Sequence, residues 1–100
     1  MSARRLVRVS EAFFLQLDQQ LGQDRGRNGE ASATDFLVVD LPAVVERFAT
    51  DFDELAEAVD GVAEVRMLVN TGRVVRAFAV FGLLVDDGSV ELIGVEVDTD

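Results

Sequence analysis

The chain of 100 residues contains no cysteine, histidine, lysine, tryptophan or tyrosine, and a single proline. Without Cys there are no disulfides, thiolate metal ligands or cysteine nucleophiles. Without His the commonest general base and the usual zinc ligand are missing. No apolar run approaches the roughly 18 residues a transmembrane helix needs; the longest, Ala77 to Val85, is the size of a strand. The start, Met1-Ser2-Ala3-Arg4-Arg5-Leu6, is basic but has no apolar segment of signal-peptide length behind it. A cytoplasmic protein is the expectation. The length suits a single domain over 1–100, which can bury about two-thirds of the surface its unfolded chain exposes.

All nine basic residues are Arg, against 19 acidic ones, for a net charge of −10. The charge is uneven: residues 1–27 are net +2, residues 28–65 net −9 and residues 66–100 net −3. Such a chain repels nucleic acid at long range, so direct nucleic-acid binding is not expected. The acidic surface either keeps the protein soluble or meets a basic partner, an Arg/Lys-rich peptide or a protein that itself binds nucleic acid.

Leu6-Val7-Arg8-Val9 is β-prone, and Ser10 behind it is a good helix N-cap. Phe13, Phe14, Leu17 and Leu21 then recur at helical spacing, which predicts a helix over about 10–22 that stops at Gly22. GQDRGRNGE (22–30) is a loop with Arg25 and Arg27 at its tip. Ser32 with Asp35 resembles a capping box. The apolar stripe from Phe36 to Leu55 predicts a helical segment over about 34–58, bent or broken near Pro42.

Three β-like segments follow. Val62 to Val69 alternates, Asn70-Thr71-Gly72-Arg73 reads as a turn, and Val74 to Val85 is apolar on nearly both faces, with Gly82 marking a bulge or bend. Asp86-Asp87-Gly88-Ser89 is a hairpin turn. Val90 to Val97 is the last strand, with Ile93, Val95 and Val97 inward and Glu91 outward. The order β-α-α-β-β-β defines an α+β fold: a small antiparallel sheet, strand one beside the meander, and helices packed on one face.

This order resembles the RelE/ParE superfamily of small bacterial toxins. Val7-Arg8-Val9-Ser10 with Phe13, Phe14 and Leu17 is similar to that family's opening strand and first helix. Ser32-Ala33 with Phe36 is similar to the start of its second helix, and Val65-Arg66-Met67-Leu68 to the strand that follows that helix. Gly72 to Phe81, with Arg76 and Phe78 at an Arg and an aromatic position, is similar to the next strand, and Val90-Glu91-Leu92-Ile93 to the last. The resemblance runs over about residues 6 to 97. It implies a toxin-like component of a type II toxin–antitoxin system that acts by protein binding and is held by a cognate antitoxin. Some members cleave ribosome-bound mRNA; by position, Arg66 and Arg76 stand where those members keep Arg on the sheet.

The residues themselves weigh against catalysis. With no Lys, His or Tyr, proton transfer would fall to carboxylates or water. A binding protein is therefore expected ahead of an enzyme. If the chain is an enzyme, it is a ribonuclease of the RelE type using Arg66, Arg73 and Arg76. The alternative is a non-toxic interaction or regulatory module on the same fold, a homodimer through an exposed sheet edge. Arg66 and Arg76, expected on adjacent strands and one face, are with Phe78 the candidate partner-binding residues. No cofactor is implied. The acidic cluster Asp51, Asp53, Glu54, Glu57 and Asp60 lacks EF-hand spacing, so no metal is implied either. The seven Phe are expected in the core; an exposed one would mark a partner groove.

Overall fold

The computed structural model describes residues 4–22 and 31–99. The Arg25 and Arg27 loop tip lies outside the described residues. The first strand, β1 (Val7–Val9), leads into helix α1 (Glu11–Leu21). Ser10 caps this helix as its hydroxyl accepts from the Phe13 N–H at 3.2 Å. Gly22 ends it at φ 73°, a left-handed conformation that glycine adopts without a Cβ penalty.

The second helical run begins at α2 (Ala33–Asp35). Its capping box is complete: Asp35 N–H donates to Ser32 Oγ (3.1 Å) and Ser32 N–H to Asp35 Oδ2 (3.0 Å). The run continues through a π turn, Phe36–Asp40, into α3 (Leu41–Thr50). Pro42 therefore neither breaks the run nor separates two helices. It has no N–H to give, and its ring crowds the carbonyl four residues back. The turn before it widens instead, and Leu41 N–H reaches Phe36 O, one residue further back than in an α-helix.

The helix ends at Thr50, not near residue 58. A 3₁₀ turn at Phe52–Glu54 sends Phe52 and Leu55 into the core, and Ala56–Glu57 forms a short strand, β2. That strand carries no alternation long enough to be read from sequence. Turns over 59–64, with Gly61 at φ 83°, delay the next strand, β3, to Val65–Thr71. The following strand, β4, is Ala77–Leu84, not 74–85, because the backbone of 72–76 is drawn toward the helices. The last, β5, is Val90–Asp98.

The five strands among the described residues are ordered β1-β5-β4-β3-β2. β5-β4-β3-β2 are antiparallel, but β1 runs parallel to β5, so the sheet is mixed. The turn at 85–89 is the three-residue kind with glycine in the left-handed position: Gly88 N–H donates to Val85 O (2.9 Å) and Val85 N–H to Ser89 O (2.8 Å). Between β4 and β5 the register slips at Phe81/Gly82, leaving Ile93 as the extra residue of a bulge. The inward positions of β5 thus change parity, Val90 and Leu92 before the bulge and Val95 after it; Ile93 is half-exposed rather than inward. At Gly82 the Phe48 ring lies against bare backbone, since a Cβ there would come within 2.5 Å of it.

One cluster forms the core: Phe13 and Leu17 of α1, Phe36, Leu41, Val44 and Phe48 of the second run, and Phe78, Val80, Leu92 and Val95 of the sheet. Helices cover this one face. Phe36 meets Phe78 edge to face at 5.6 Å.

β1 stops at Val9, so among the described residues no strand lies beside the outer edge of β5 beyond Leu92. Two glutamines of α1 take its place. Gln16 Nε2 donates to Ile93 O (3.3 Å) and Gln16 Oε1 accepts from Val95 N–H (3.0 Å). Gln20 Nε2 donates to Val95 O (2.7 Å) and Gln20 Oε1 accepts from Val97 N–H (2.8 Å). Each amide makes the two bonds that a residue of a parallel strand would make.

Replacing both glutamines by alanine should lower stability by roughly 2–4 kcal/mol, about 0.5–1 kcal/mol for each of the four bonds lost. It should also produce concentration-dependent association through the bared edge. Urea unfolding and sedimentation check the two effects. Full stability in the double variant would show that the ladder contributes nothing.

Candidate functional site

Alternation along β4 sends Phe78, Val80, Gly82 and Leu84 to the helices and Ala77, Ala79, Phe81 and Leu83 to the other side. Register adds the neighbours. On β3, Val65 stands opposite Leu83, Met67 opposite Phe81, Val69 opposite Ala79 and Thr71 opposite Ala77. On β5, Glu91 stands opposite Leu83, Gly94 opposite Phe81 and Glu96 opposite Ala79. None of these apolar residues belongs to the core or packs against it. Val69 is 64% exposed, and Val65, Met67, Ala77, Ala79, Phe81 and Leu83 are half-buried. Among the described elements nothing covers this face, so it is an apolar sheet surface open to water.

Its shape and charge follow from single residues. Along this side of β4 the small side chains of Ala77 and Ala79 are followed by the larger Phe81 and Leu83. At Gly94 the absent side chain makes room for the Gln16 amide, 3.1 Å from where a Cβ would stand, and for the Phe81 ring at 3.5 Å. The β5 flank is acidic, with Glu91 and Glu96; the β3 flank is neutral. Arg8, next to Glu91 across β1, turns toward the hairpin, where Nη2 donates to Ser89 Oγ (2.9 Å) and lies 3.9 Å from Asp87 Oδ2.

The sheet edges are closed in different ways. The glutamines close β5. On β3, β2 pairs only with Arg66 and Met67. Beyond it Asn70 Oδ1 takes the Thr71 N–H at 2.8 Å, leaving Val69 as the outward-facing backbone position of the stretch.

The candidate Arg and Phe residues stand elsewhere. Arg66 points away from the open face. Its Nε donates to Ala63 O (2.7 Å), its Nη1 to Leu55 O (2.8 Å) and Asp53 O (3.1 Å), and it lies 5.4 Å from the Phe52 ring centroid. It is thus a brace for residues 53–63. Arg73 and Arg76 fall in the bend before β4, not on a strand. Arg66 pairs with Gly82, six residues along the ladder from Arg76, about 20 Å at the ordinary strand rise. The expected Arg66–Arg76 pair on one face is therefore not formed. Phe78 is buried against Phe36 and offers no surface. Phe14, expected in the core, is 40% exposed, and Phe81 lies on the open face.

What holds the 72–76 bend is Asp40, which the π turn aims inward. Its carboxylate is buried and accepts Arg73 N–H (2.7 Å) and Val74 N–H (3.1 Å). Gly72 must lack a side chain here, since a Cβ would meet Val75 O at 2.6 Å. An open cleft of about 860 Å³ between Arg4–Leu6, 49–54 and the hairpin turn is lined by both signs of charge. Arg5 already spans it, donating to Gly88 O at 3.1 Å. Among the described residues no three carboxylates converge on a cation site, and no helix is long and apolar enough to cross a membrane.

Comparison of the chain with protein-family models, with curated proteins and with solved structures finds no match. The site is therefore read from this chain's own residues. Sequence reasoning missed the open face. Its signal was present in 74–85, a strand apolar on both sides, with helices enough to cover only one.

Asp40→Ala should cost roughly 2–4 kcal/mol, because two backbone donors lose a charged acceptor. Faster hydrogen exchange at Arg73 and Val74 checks it. The Asp87 carboxyl is held below the ordinary Asp value by its hydrogen bonds from the Ser89 side chain and backbone, with help from Arg8. A depressed folded pKa contributes stability above the unfolded value, lost as pH falls through the folded one. The hairpin should therefore loosen only in acid below the ordinary Asp range, and an NMR titration of Asp87 should place its midpoint there. An ordinary midpoint would contradict this.

Proposed function

We propose that the chain is a protein-binding module whose partner covers the open sheet face. The toxin-like reading implied by the RelE/ParE resemblance is one form of this function, with a cognate antitoxin as that partner. The carrying observation is the row Val65, Met67, Val69, Phe81 and Leu83, apolar and outside the core. Contiguous apolar surface on a soluble protein marks an interaction site more often than chance exposure does. A ribonuclease reading has less support: Arg66 spends its donors on backbone carbonyls, and Arg73 and Arg76 are remote from it.

The test uses Val69→Gln with Ala79→Gln, which makes the face polar without changing charge. Benzophenone placed at position 67 should cross-link one defined partner in cells. The paired substitution should abolish that product, while Arg4→Ala, remote from the face, should leave it. Cross-linking indifferent to the paired substitution would defeat the proposal. In the toxin-like form, induction arrests bacterial growth and the paired substitution relieves the arrest. Normal growth at high soluble expression defeats that form and favours the non-toxic module.

A further inference from the structure

We infer that the open face takes a cationic amphipathic helix, about 18 residues long, laid along β3 and β4 with its basic side over β5. This rests on the protein-binding reading above and names the partner's chemistry.

The backbone decides the conformation. An extended segment gains its hydrogen bonds at a sheet edge, not on a face. Here β5 is occupied by Gln16 and Gln20, and β3 is shortened by β2 and by Asn70. On the face itself an extended chain would desolvate its N–H and C=O groups without partners, a penalty repeated at every residue. A helix satisfies its own backbone and buries one stripe. The length follows from the sheet: the eight residues of β4 span about 26 Å, which 18 helical residues cover at about 1.5 Å each.

Charge decides the partner's sign. The side chains on the face are already half-buried except Val69, so each gains only a modest further burial when covered. That gain only offsets the freedom lost on association, so electrostatics selects the occupant. Glu91 and Glu96 stand beside Leu83 and Ala79 on the same face, and Arg8 is turned away toward Ser89 and Asp87. A second copy would bring another net charge of −10 and the same two glutamates. A basic helix meets them instead. The two glutamates are about 15 Å apart along β5, close to three helical turns, so Lys or Arg spaced ten or eleven residues apart on one side would reach both.

The probe is a labelled 18-residue Leu/Lys amphipathic helix, compared with its Leu/Glu counterpart by fluorescence anisotropy. The Leu/Lys helix should bind at least about tenfold tighter at low salt, with the gap shrinking in 0.5 M salt as charges are screened. Glu91→Gln with Glu96→Gln should narrow the preference several-fold. Asp18→Asn with Glu54→Gln, removing equal charge elsewhere, should not. Val69→Gln with Ala79→Gln should weaken binding about tenfold, with folding checked by circular dichroism. If both peptides bind equally and both are lost in the Val69/Ala79 variant, the face binds helices but the charge assignment is overturned. If Leu/Lys binding survives that variant, or no peptide binds, the inference and the reading beneath it both fail. Dimerisation in sedimentation that the Val69/Ala79 variant abolishes would replace the cationic helix by a second copy.

Discussion

The two glutamine amides of α1 set the form of the sheet. A strand exposes one outward pair of backbone groups every second residue, about 6.6 Å apart, and a helix presents residues i and i+4 about 6.0 Å apart. The near match lets Gln16 and Gln20 follow β5 where β1 has ended, so a parallel ladder begun by backbone at Val7–Val9 is continued by side chains. Among the described residues the edge is finished by side chains instead of a further strand. The consequence is spatial: α1 is committed to the margin of the sheet, contributing Phe13 and Leu17 to the core from the side. The second helical run then covers the inner face, and no described helix remains for the outer one.

That second run is shaped by one residue that cannot donate and one that must be buried. Pro42 widens the preceding turn, and the widened turn aims the Asp40 carboxylate inward. A buried charge is tolerable only when hydrogen-bonded, and the bend at 72–76 supplies two N–H donors. The bend shortens β4, moves Arg76 off the strand and buries Val75. Arg66 performs the matching task at the other end of β3, where its guanidinium gathers the carbonyls of 53, 55 and 63. The arginines that looked like anion ligands are thus separated by the same contacts that shape the hairpin.

Features with a local cause were legible in the sequence. Ser10, the Ser32–Asp35 box, the Asp86–Ser89 turn and the Gly22 stop each depend on a few neighbouring residues, and the structure has them all. The α+β class followed from periodicity. What was hidden depends on partners far along the chain: the parallel register of β1, the pairing of β2, the bulge at Ile93 that reverses the parity of β5, and the glutamines that bond backbone more than seventy residues away. In the helical spacing of α1, Gln16 and Gln20 fall off the Phe13–Leu17–Leu21 stripe, and nothing local marks them as backbone ligands. The open face was half legible. Apolar residues on both sides of 74–85 announce a central strand, but the pattern does not say which side the helices leave bare.

A bare apolar face and a net charge of −10 belong together physically. Apolar surface promotes association without regard to partner, whereas like charge opposes approach of identical molecules. Acidic residues around the sheet therefore suppress the pairing that the face would otherwise favour most, since every molecule carries the same patch at the same concentration. The suppression is selective, because it falls away for a partner of opposite charge. Discrimination of this kind needs no pocket and no special geometry, only a repulsive contribution against the wrong partner beside an attractive one that is shared. The sheet supplies the shared attraction through Met67, Val69, Phe81 and Leu83, and Glu91 and Glu96 supply the sign.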